Sequence, residues 1–121
     1  MNRGTISAHS ELFGNAFEHL IFQQLISHSH YSRKNYPVSY WRTASQYEVD
    51  FVLGDHEVAV EVKGTSLASS HHLTGLKAIA EEYKFSRLLL VTLDAAPRKI
   101  GNITVLPYNI FLEKLWNGEI I

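Results

Sequence analysis

Apolar residues recur at three- and four-residue spacing near the start of the chain, which is typical of one face of an α-helix. Ser10 is a suitable N-cap for this helix, and the spacing ends at about Ser27. The apolar positions are Leu12, Phe13, Ala16, Phe17, Leu20, Ile21 and Leu25. Their density predicts a helix that is largely buried, and residues 29–37 are expected to form a loop.

The next part of the chain predicts three strands. Residues 38–43 form a short segment rich in aromatic side chains, and apolar residues alternate with others over 46–53 and 57–63. Gly54 and Asp55 give a strong turn signal between the two alternating segments. We therefore predict a β-hairpin after the first strand.

The second half of the chain predicts helices and strands in alternation. The elements are a helix from Ser69 or Ser70 to about Lys84, a strand at 87–93, a short strand at 103–106 and a helix at 108–116. The continuous apolar run at 88–91 suits a strand that is buried on both faces of a parallel sheet, joined to the hairpin by a right-handed crossover. The complete order predicts an α/β domain with a mixed sheet flanked by helices.

The predicted hairpin brings charged side chains together. Directly opposed residues of antiparallel strands point to the same face, so the apolar sides of both strands must coincide. The apolar set is Val49, Phe51, Leu53, Val58, Val60 and Val62, and the set on the opposite face is Glu48, Asp50, Glu61 and Lys63. With a four-residue loop Asp50 lies across from Glu61, whereas with a two-residue loop Glu61 faces Glu48 and Asp50 is diagonal to it.

These clustered carboxylates allow two interpretations. Opposed like charges destabilise a sheet by about 0.2–1 kcal/mol, and a divalent cation such as Mg²⁺, which prefers oxygen ligands, would reverse that effect. The alternative is a solvated polar face on which Lys63 pairs with Glu48 or Glu61. Glu18 adds an acid to the apolar first helix, either at a boundary that reaches solvent or in a buried pair. Gly14, one turn earlier, leaves room for a backbone or ligand, or is a tolerated helix glycine.

Charged residues are segregated along the chain, although the formal net charge is only -1. Residues 19–47 and 62–80 contain no Asp or Glu, and the first of these stretches interleaves bases with aromatic residues. Such mixtures suit phosphate contact and base stacking, but ordinary surface variation and core aromatics produce them too. The candidates for contact with nucleic acid are Arg33, Lys34, Trp41, Arg42 and Lys77.

The absence of cysteine excludes disulfide scaffolds and thiolate zinc sites, so any metal is expected to have oxygen ligands. The histidines at 28, 30, 71 and 72 lack the spacing of a metal site and are expected on the surface or in loops. The length suits a single domain over 1–121. No signal peptide is recognised and no apolar run approaches the ~18 residues of a membrane-spanning helix, so a cytoplasmic protein without membrane contact is expected.

An acid in the first helix, an acid on a strand and an Asp/Glu-x-Lys motif on the next strand form the pattern of the PD-(D/E)XK nuclease superfamily. The corresponding residues here are Glu18, Asp50 and Glu61-Val62-Lys63, and on these residues the chain resembles that superfamily. The resemblance implies a restriction-endonuclease-like core with the element order αβββαβ.

The chain resembles more closely the nuclease-like domain of unknown function at the C-terminus of many prokaryotic AAA-type ATPases. The matching stretches are 14–18, 40–43, 48–53, 61–63, 73–77, 105–107 and 111–112. Those ATPases carry a phosphate loop upstream, and this chain contains no Gly-x-x-x-x-Gly-Lys-Ser/Thr motif. It is therefore expected to be a free-standing or truncated form of the C-terminal domain, without an ATPase module.

The resemblance implies a Mg²⁺- or Mn²⁺-dependent nuclease that acts on DNA. Asp50 and Glu61 would ligate the metal together with the Val62 carbonyl, and Glu18 would hold a second metal or a bound water. Lys63 would orient or activate the attacking water and stabilise phosphate charge. The alternative is a non-catalytic module that keeps the nuclease fold to bind nucleic acid or to dock an AAA-type ATPase partner.

Overall fold

The computed structural model describes the backbone of residues 3–121 and the side chains of residues 11–121. In chain order the elements are α1 (Arg3–Tyr31), β1 (Val38–Arg42), β2 (Glu48–Leu53), β3 (Val58–Val62), a 3-10 turn (Ser70–Leu73), α2 (Thr74–Glu82), β4 (Arg87–Thr92), β5 (Arg98–Ile100), β6 (Ile103–Pro107) and α3 (Tyr108–Trp116). None of the described helices is both long and apolar enough to cross a lipid bilayer.

The six strands form one mixed sheet in the order β1-β2-β3-β4-β6-β5. The pairs β1–β2, β2–β3 and β5–β6 are antiparallel, whereas β4 is parallel to both β3 and β6. This arrangement confirms the predicted α/β class with a mixed sheet flanked by helices, and the predicted order αβββαβ. The pattern did not predict β5, because two of its three residues are exposed cations and only pairing with β6 makes it a strand.

Apolar side chains cover both faces of the sheet. α1 and α3 pack on one face, where Phe17 and Phe111 are buried, and α2 packs on the other face through Leu76. The apolar run of β4 divides between the two layers, since Leu89 faces α1 and α3 while Leu90 faces α2. The prediction that this strand is buried on both faces is therefore confirmed.

Helix α1 differs from its prediction in length and in burial. It extends from Arg3 to Tyr31, so Ser10 lies inside the helix and is not its N-cap. The prediction that α1 is largely buried is wrong, because over residues 11–31, whose side chains are described, only one face meets the sheet. The buried apolar residues of that face are Phe17, Ile21 and Leu25, and the large apolar side chains exposed elsewhere in this range include Leu12, Phe13, Leu20, Phe22 and Tyr31.

The C-terminal end of α1 is fastened to the loop that follows it. Tyr36 donates its hydroxyl hydrogen to the Leu25 carbonyl oxygen at 3.0 Å and also contacts His28 Nδ1 at 2.9 Å. Ser29 Oγ donates to the Tyr36 carbonyl oxygen at 2.8 Å. The expected surface or loop position is wrong for His28, which lies in the helix with 3% of its surface exposed. These bonds explain why the helix continues past Ser27.

The second predicted helix is divided in two. Ser69 precedes a 3-10 turn over Ser70–Leu73, and the regular helix α2 begins only at Thr74. The Ser69 backbone N–H donates to His72 Nδ1 at 3.0 Å, which fixes the turn before α2. The division places the first turn of α2 directly against the sheet.

Candidate active site

A β-bulge in β2 determines where the acidic side chains lie. Ser39 of β1 pairs with Val52 and Trp41 pairs with Val49, so Tyr40 faces two residues of β2. The extra residue reverses the alternation of side chains, and Val49 packs on the α2 side of the sheet. The predicted shared face of Val49 with Phe51 and Leu53 is therefore wrong, because those two residues pack on the α1 side.

The register of the hairpin resolves the alternatives that the sequence left open. Leu53 pairs with Val58 and Phe51 with Val60, which leaves a four-residue loop over 54–57. Continuing this register by one pair sets Asp50 opposite Glu61. Gly54 adopts a positive φ of 70° in this loop, a conformation that glycine favours.

Asp50 and Glu61 each bond to the backbone of the other strand. The Asp50 N–H donates to Glu61 Oε1 at 3.1 Å, and the Val62 N–H donates to Asp50 Oδ2 at 2.8 Å. The two carboxylates thus replace bonds of the sheet at the bulge. The interpretation as a solvated polar face is wrong for Glu61, which is only 4% exposed.

Burial and a neighbouring carboxylate make Glu61 difficult to ionise. Burial contributes most, and the hydrogen bond and charge of Asp50 add to it, so that the pKa of Glu61 is raised to about 9. The Lys63 ammonium, whose Nζ lies 3.9 Å from Glu61 Oε2, acts in the opposite direction. The charge of Lys63 therefore does not offset burial and the Asp50 carboxylate, and the neutral form of Glu61 is favoured near pH 7.

Glu18 of α1 lies close to Asp50 on the side of the sheet that α1 covers. Its side chain is half-buried, and burial followed by the Asp50 charge raises its pKa. Glu18, Asp50 and the exposed Tyr40 are among the residues that line a cleft of about 280 Å³. The structure therefore brings together Glu18, Asp50, Glu61 and Lys63, and we refer to the three acids as the acid cluster.

The donor atoms of the acid cluster fit a hard divalent cation. Among residues 11–121, whose side chains are described, no three or more His, Asp or Glu side chains surround a common metal position. Mg²⁺ needs fewer, because one or two carboxylates usually hold it and water or substrate phosphate completes its shell. One oxygen each of Asp50 and Glu61 remains beyond the backbone bonds, and the Val62 carbonyl points to the same side as its N–H, toward Asp50.

A second cleft, of about 180 Å³, opens at the carboxyl end of β3. Glu61 and Lys63 line it together with His71 and His72, which the sequence pattern had separated from the site. The missed signal was topological, because ligands of α/β folds bind where a parallel strand ends and the next helix begins. His71 and His72 occupy that connection between β3 and α2.

Gly75 holds α2 directly on the acid-bearing strand. A Cβ atom at this position would lie 2.0 Å from the Glu48 carbonyl oxygen and 3.6 Å from Glu61 Oε2. From the sequence alone we expect Gly75 to be a turn or cap glycine, and this prediction is wrong, since Gly75 lies in the first turn of α2. At Gly14, by contrast, a Cβ atom would meet nothing within 4 Å, as expected of a tolerated helix glycine.

The predicted nucleic-acid contacts are dispersed over the molecule. Arg42 pairs with Glu48 at 3.4 Å, and Trp41 packs half-buried against the α2 side of the core. Lys77 is exposed on α2. Arg33 and Lys34 follow the end of α1, and Lys34 donates to the Ile121 carbonyl oxygen. These last two residues are about 20 Å along α1 from Glu18, at 1.5 Å per residue, and the fold does not bring them to the acid cluster.

Asp94, which the sequence pattern did not single out, anchors the loop between Lys63 and the 3-10 turn. The buried carboxylate accepts hydrogen bonds from Thr92 Oγ1 at 2.6 Å and from the Ala68 N–H at 3.1 Å. Arg98 of β5 pairs with Asp94 at 3.4 Å and also donates to the Ala68 carbonyl oxygen. The loop is thus tied to two strands next to the second cleft.

A family model described as a domain of unknown function (DUF4143) matches residues 13–111. The matched range includes the acid cluster, Lys63 and the histidines of the second cleft. No curated protein and no solved structure matches the chain significantly.

Proposed function

The chain belongs to the DUF4143 family of domains of unknown function, and we propose that it is a Mg²⁺-dependent nuclease domain that hydrolyses DNA phosphodiester bonds. The observation that carries this proposal is the reciprocal bonding of Asp50 and Glu61, which aligns two carboxylates beside Lys63. The same residues carry the resemblance to the PD-(D/E)XK nucleases, and the order αβββαβ agrees with it.

In this proposal Asp50, Glu61 and the Val62 carbonyl would hold Mg²⁺ or Mn²⁺, and Glu18 would hold a second ion or a water. A bound ion supplies Lewis acidity and lowers the pKa of water. The raised pKa of Glu61 supports the assignment, because the charge of Lys63 does not keep it ionised and a bound metal ion would stabilise the ionised form. Lys63 is half-exposed, so its ammonium can reach a phosphate or the attacking water.

The first test is cleavage of plasmid and linear DNA with Mg²⁺ or Mn²⁺. We expect wild type to cleave, and Asp50→Asn and Lys63→Ala each to reduce the rate about 100-fold or more, as removal of a transition-state contact does. Lys84→Ala changes an exposed lysine beyond the end of α2 and serves as the matched control for Lys63→Ala. Equal rates in all four proteins would show a contaminating nuclease and contradict the proposal.

The second test measures Mn²⁺ binding by calorimetry. Glu61→Gln keeps an oxygen that can accept the Asp50 N–H but removes the negative charge, so we expect affinity to fall about tenfold or more. Glu57→Gln, an exposed acid in the turn of the same hairpin, should leave the affinity unchanged. Identical binding by wild type and Glu61→Gln would remove Glu61 from the site.

A non-catalytic module remains the second proposal, because the backbone bonds of Asp50 and Glu61 also give both residues a structural role. Such a module would bind nucleic acid or dock an AAA-type ATPase partner without turnover. Salt-dependent DNA binding with no metal-dependent cleavage over a broad range of conditions would favour it.

A further inference from the structure

The second cleft contains two side chains, His71 and His72, that the proposed metal chemistry does not use. We name it the histidine cleft and define it by Lys63, His71, His72 and Thr74, which line it beside Glu61. It lies at the first turn of α2, where the positive end of the helix dipole adds to the side-chain charges.

The two imidazole rings are held as a pair by one serine. The Ser69 N–H donates to His72 Nδ1 at 3.0 Å, so Nδ1 carries no hydrogen and the neutral ring must carry it on Nε2. Ser69 Oγ lies 2.7 Å from His71 Nδ1, and the ring centroids of the two histidines are 3.9 Å apart. His72 therefore presents a nitrogen donor away from Ser69, next to the ring of His71.

The charge of the histidine cleft favours an anion over a second metal. Glu48, the other acid that lines it, pairs with Arg42, and Glu61 Oε2 lies 3.9 Å from Lys63 Nζ. Burial lowers the pKa of His72, and His71 and Lys63 lower it further against the smaller opposing effect of Asp94, so repulsion from the positive neighbours outweighs attraction to that acid. A bound anion would relieve that repulsion, whereas a cation would increase it.

We infer that the histidine cleft binds a phosphate group of the nucleic acid, with His71, His72 and Lys63 as its hydrogen-bond donors. The inference rests on the proposed function, because Glu61 separates the cleft from Asp50 and a cation on the acid cluster would let a phosphate approach. The phosphate is either a neighbouring phosphodiester or the phosphate at a strand end, since both present the same oxygens to these donors.

The direct test titrates inorganic phosphate, in the presence of Mg²⁺, into protein labelled with ¹⁵N on its histidine rings. We expect saturable shifts of the His71 and His72 signals and none for His30, an exposed histidine of α1. His72→Asn retains an acceptor for the Ser69 N–H but loses the Nε2 donor, and should weaken phosphate binding about tenfold. The absence of saturable shifts at both rings would overturn the inference.

The second test separates the cleft from catalysis. A labelled oligonucleotide with a 5′-phosphate or a 5′-hydroxyl is bound in Ca²⁺ and cleaved in Mg²⁺ by wild type, His71→Asn, His72→Asn and His30→Asn. We expect the two cleft variants to raise Kd and KM about tenfold and to change kcat less than about threefold, with His30→Asn unchanged. An equal loss for both oligonucleotides assigns an internal phosphodiester, and a loss confined to the 5′-phosphate assigns the strand end.

The two proposals fail in different ways. If no protein cleaves DNA but phosphate still shifts the ¹⁵N signals of His71 and His72, the nuclease proposal is contradicted and the inference of phosphate binding is supported. If cleavage depends on Asp50 but both cleft variants bind and cleave the oligonucleotides as wild type does, the nuclease proposal is supported and the inference of phosphate binding in the histidine cleft is overturned. His71 is exposed, so His71→Asn tests the inference even if a change at the half-buried His72 disturbs folding.

Discussion

Gly75 and Gly14 both lie in helices, but an added methyl group would meet opposite surroundings at the two positions. At Gly75 it would overlap the Glu48 carbonyl oxygen, whereas at Gly14 it would enter open space. We expect Gly75→Ala to lower the free energy of unfolding by about 1–3 kcal/mol, despite the better helix propensity of alanine, because α2 must move off β2.

Gly14→Ala is the matched control and should raise the free energy of unfolding by up to about 1 kcal/mol, since only helix propensity changes. Chemical denaturation of both variants and wild type measures the difference. Equal stability of Gly75→Ala and wild type would contradict the close contact between α2 and β2.

Asp50 and Glu61 show which features of the site the sequence pattern could predict and which it could not. The pairing parity of the hairpin predicted that Asp50 and Glu61 lie near each other, and the structure agrees. The pattern did not predict that Glu61 is buried, because α2 covers it from a position 14 residues along the chain, at Gly75. The alternation of residues along β3 carries no information about a helix that packs over the strand later in the chain.

At the scale of elements, the burial of His28 couples the end of α1 to pH. Burial, and to a lesser extent the charge of Lys34, lowers the pKa of His28 below its ordinary value of 6.5. Between the lowered pKa and 6.5 the unfolded chain therefore binds more protons than the folded chain. The contribution of neutral, buried His28 to the free energy of unfolding is complete above pH 6.5, and it is lost as pH falls through the folded-state pKa.

We expect the free energy of unfolding to fall as pH falls below 6.5 in wild type, and to fall less in His28→Asn, which can still donate to Tyr36. His30→Asn, at the exposed surface of the same helix, should keep the wild-type slope. Parallel slopes in wild type and His28→Asn, measured by urea denaturation, would contradict the assignment.

The contact of Arg98 with Asp94 and the Ala68 carbonyl joins β5 to the loop before the histidine cleft. Arg98→Ala leaves a buried carboxylate with fewer partners, so we expect a loss of about 1–2 kcal/mol, moderated because Arg98 is itself partly exposed. Lys99→Ala, on the same strand and exposed, should stay within about 0.5 kcal/mol of wild type. Thermal denaturation compares the two, and equal losses would contradict a specific role of Arg98.

At the scale of the whole molecule, the fold separates two groups of bases that the sequence pattern placed in one list. Lys77 is exposed on α2, the helix that packs against Glu61 at Gly75, whereas Arg33 and Lys34 lie beyond the far end of α1. We expect Lys77→Ala to weaken DNA binding about threefold or more and to reduce the dependence of log K on log salt by about 0.9.

The double variant Arg33→Ala/Lys34→Ala should bind DNA within about twofold of wild type. Fluorescence anisotropy at several salt concentrations measures both variants. A larger loss in the double variant than in Lys77→Ala would place the DNA contact at the far end of α1 and away from the acid cluster.

The sequence by itself determined the elements of the core and their order, apart from β5 and the exact helix bounds, because the spacing of apolar residues along a helix or strand is a local property. It also determined which residues of the hairpin carry charge and that Asp50 and Glu61 lie near each other, but it left their register open. Only the tertiary structure decided the bulge at Asp50, the burial of Glu61 under Gly75, and the position of His71 and His72 beside Lys63. Those features depend on contacts between segments that are distant along the chain, and no local periodicity records such contacts.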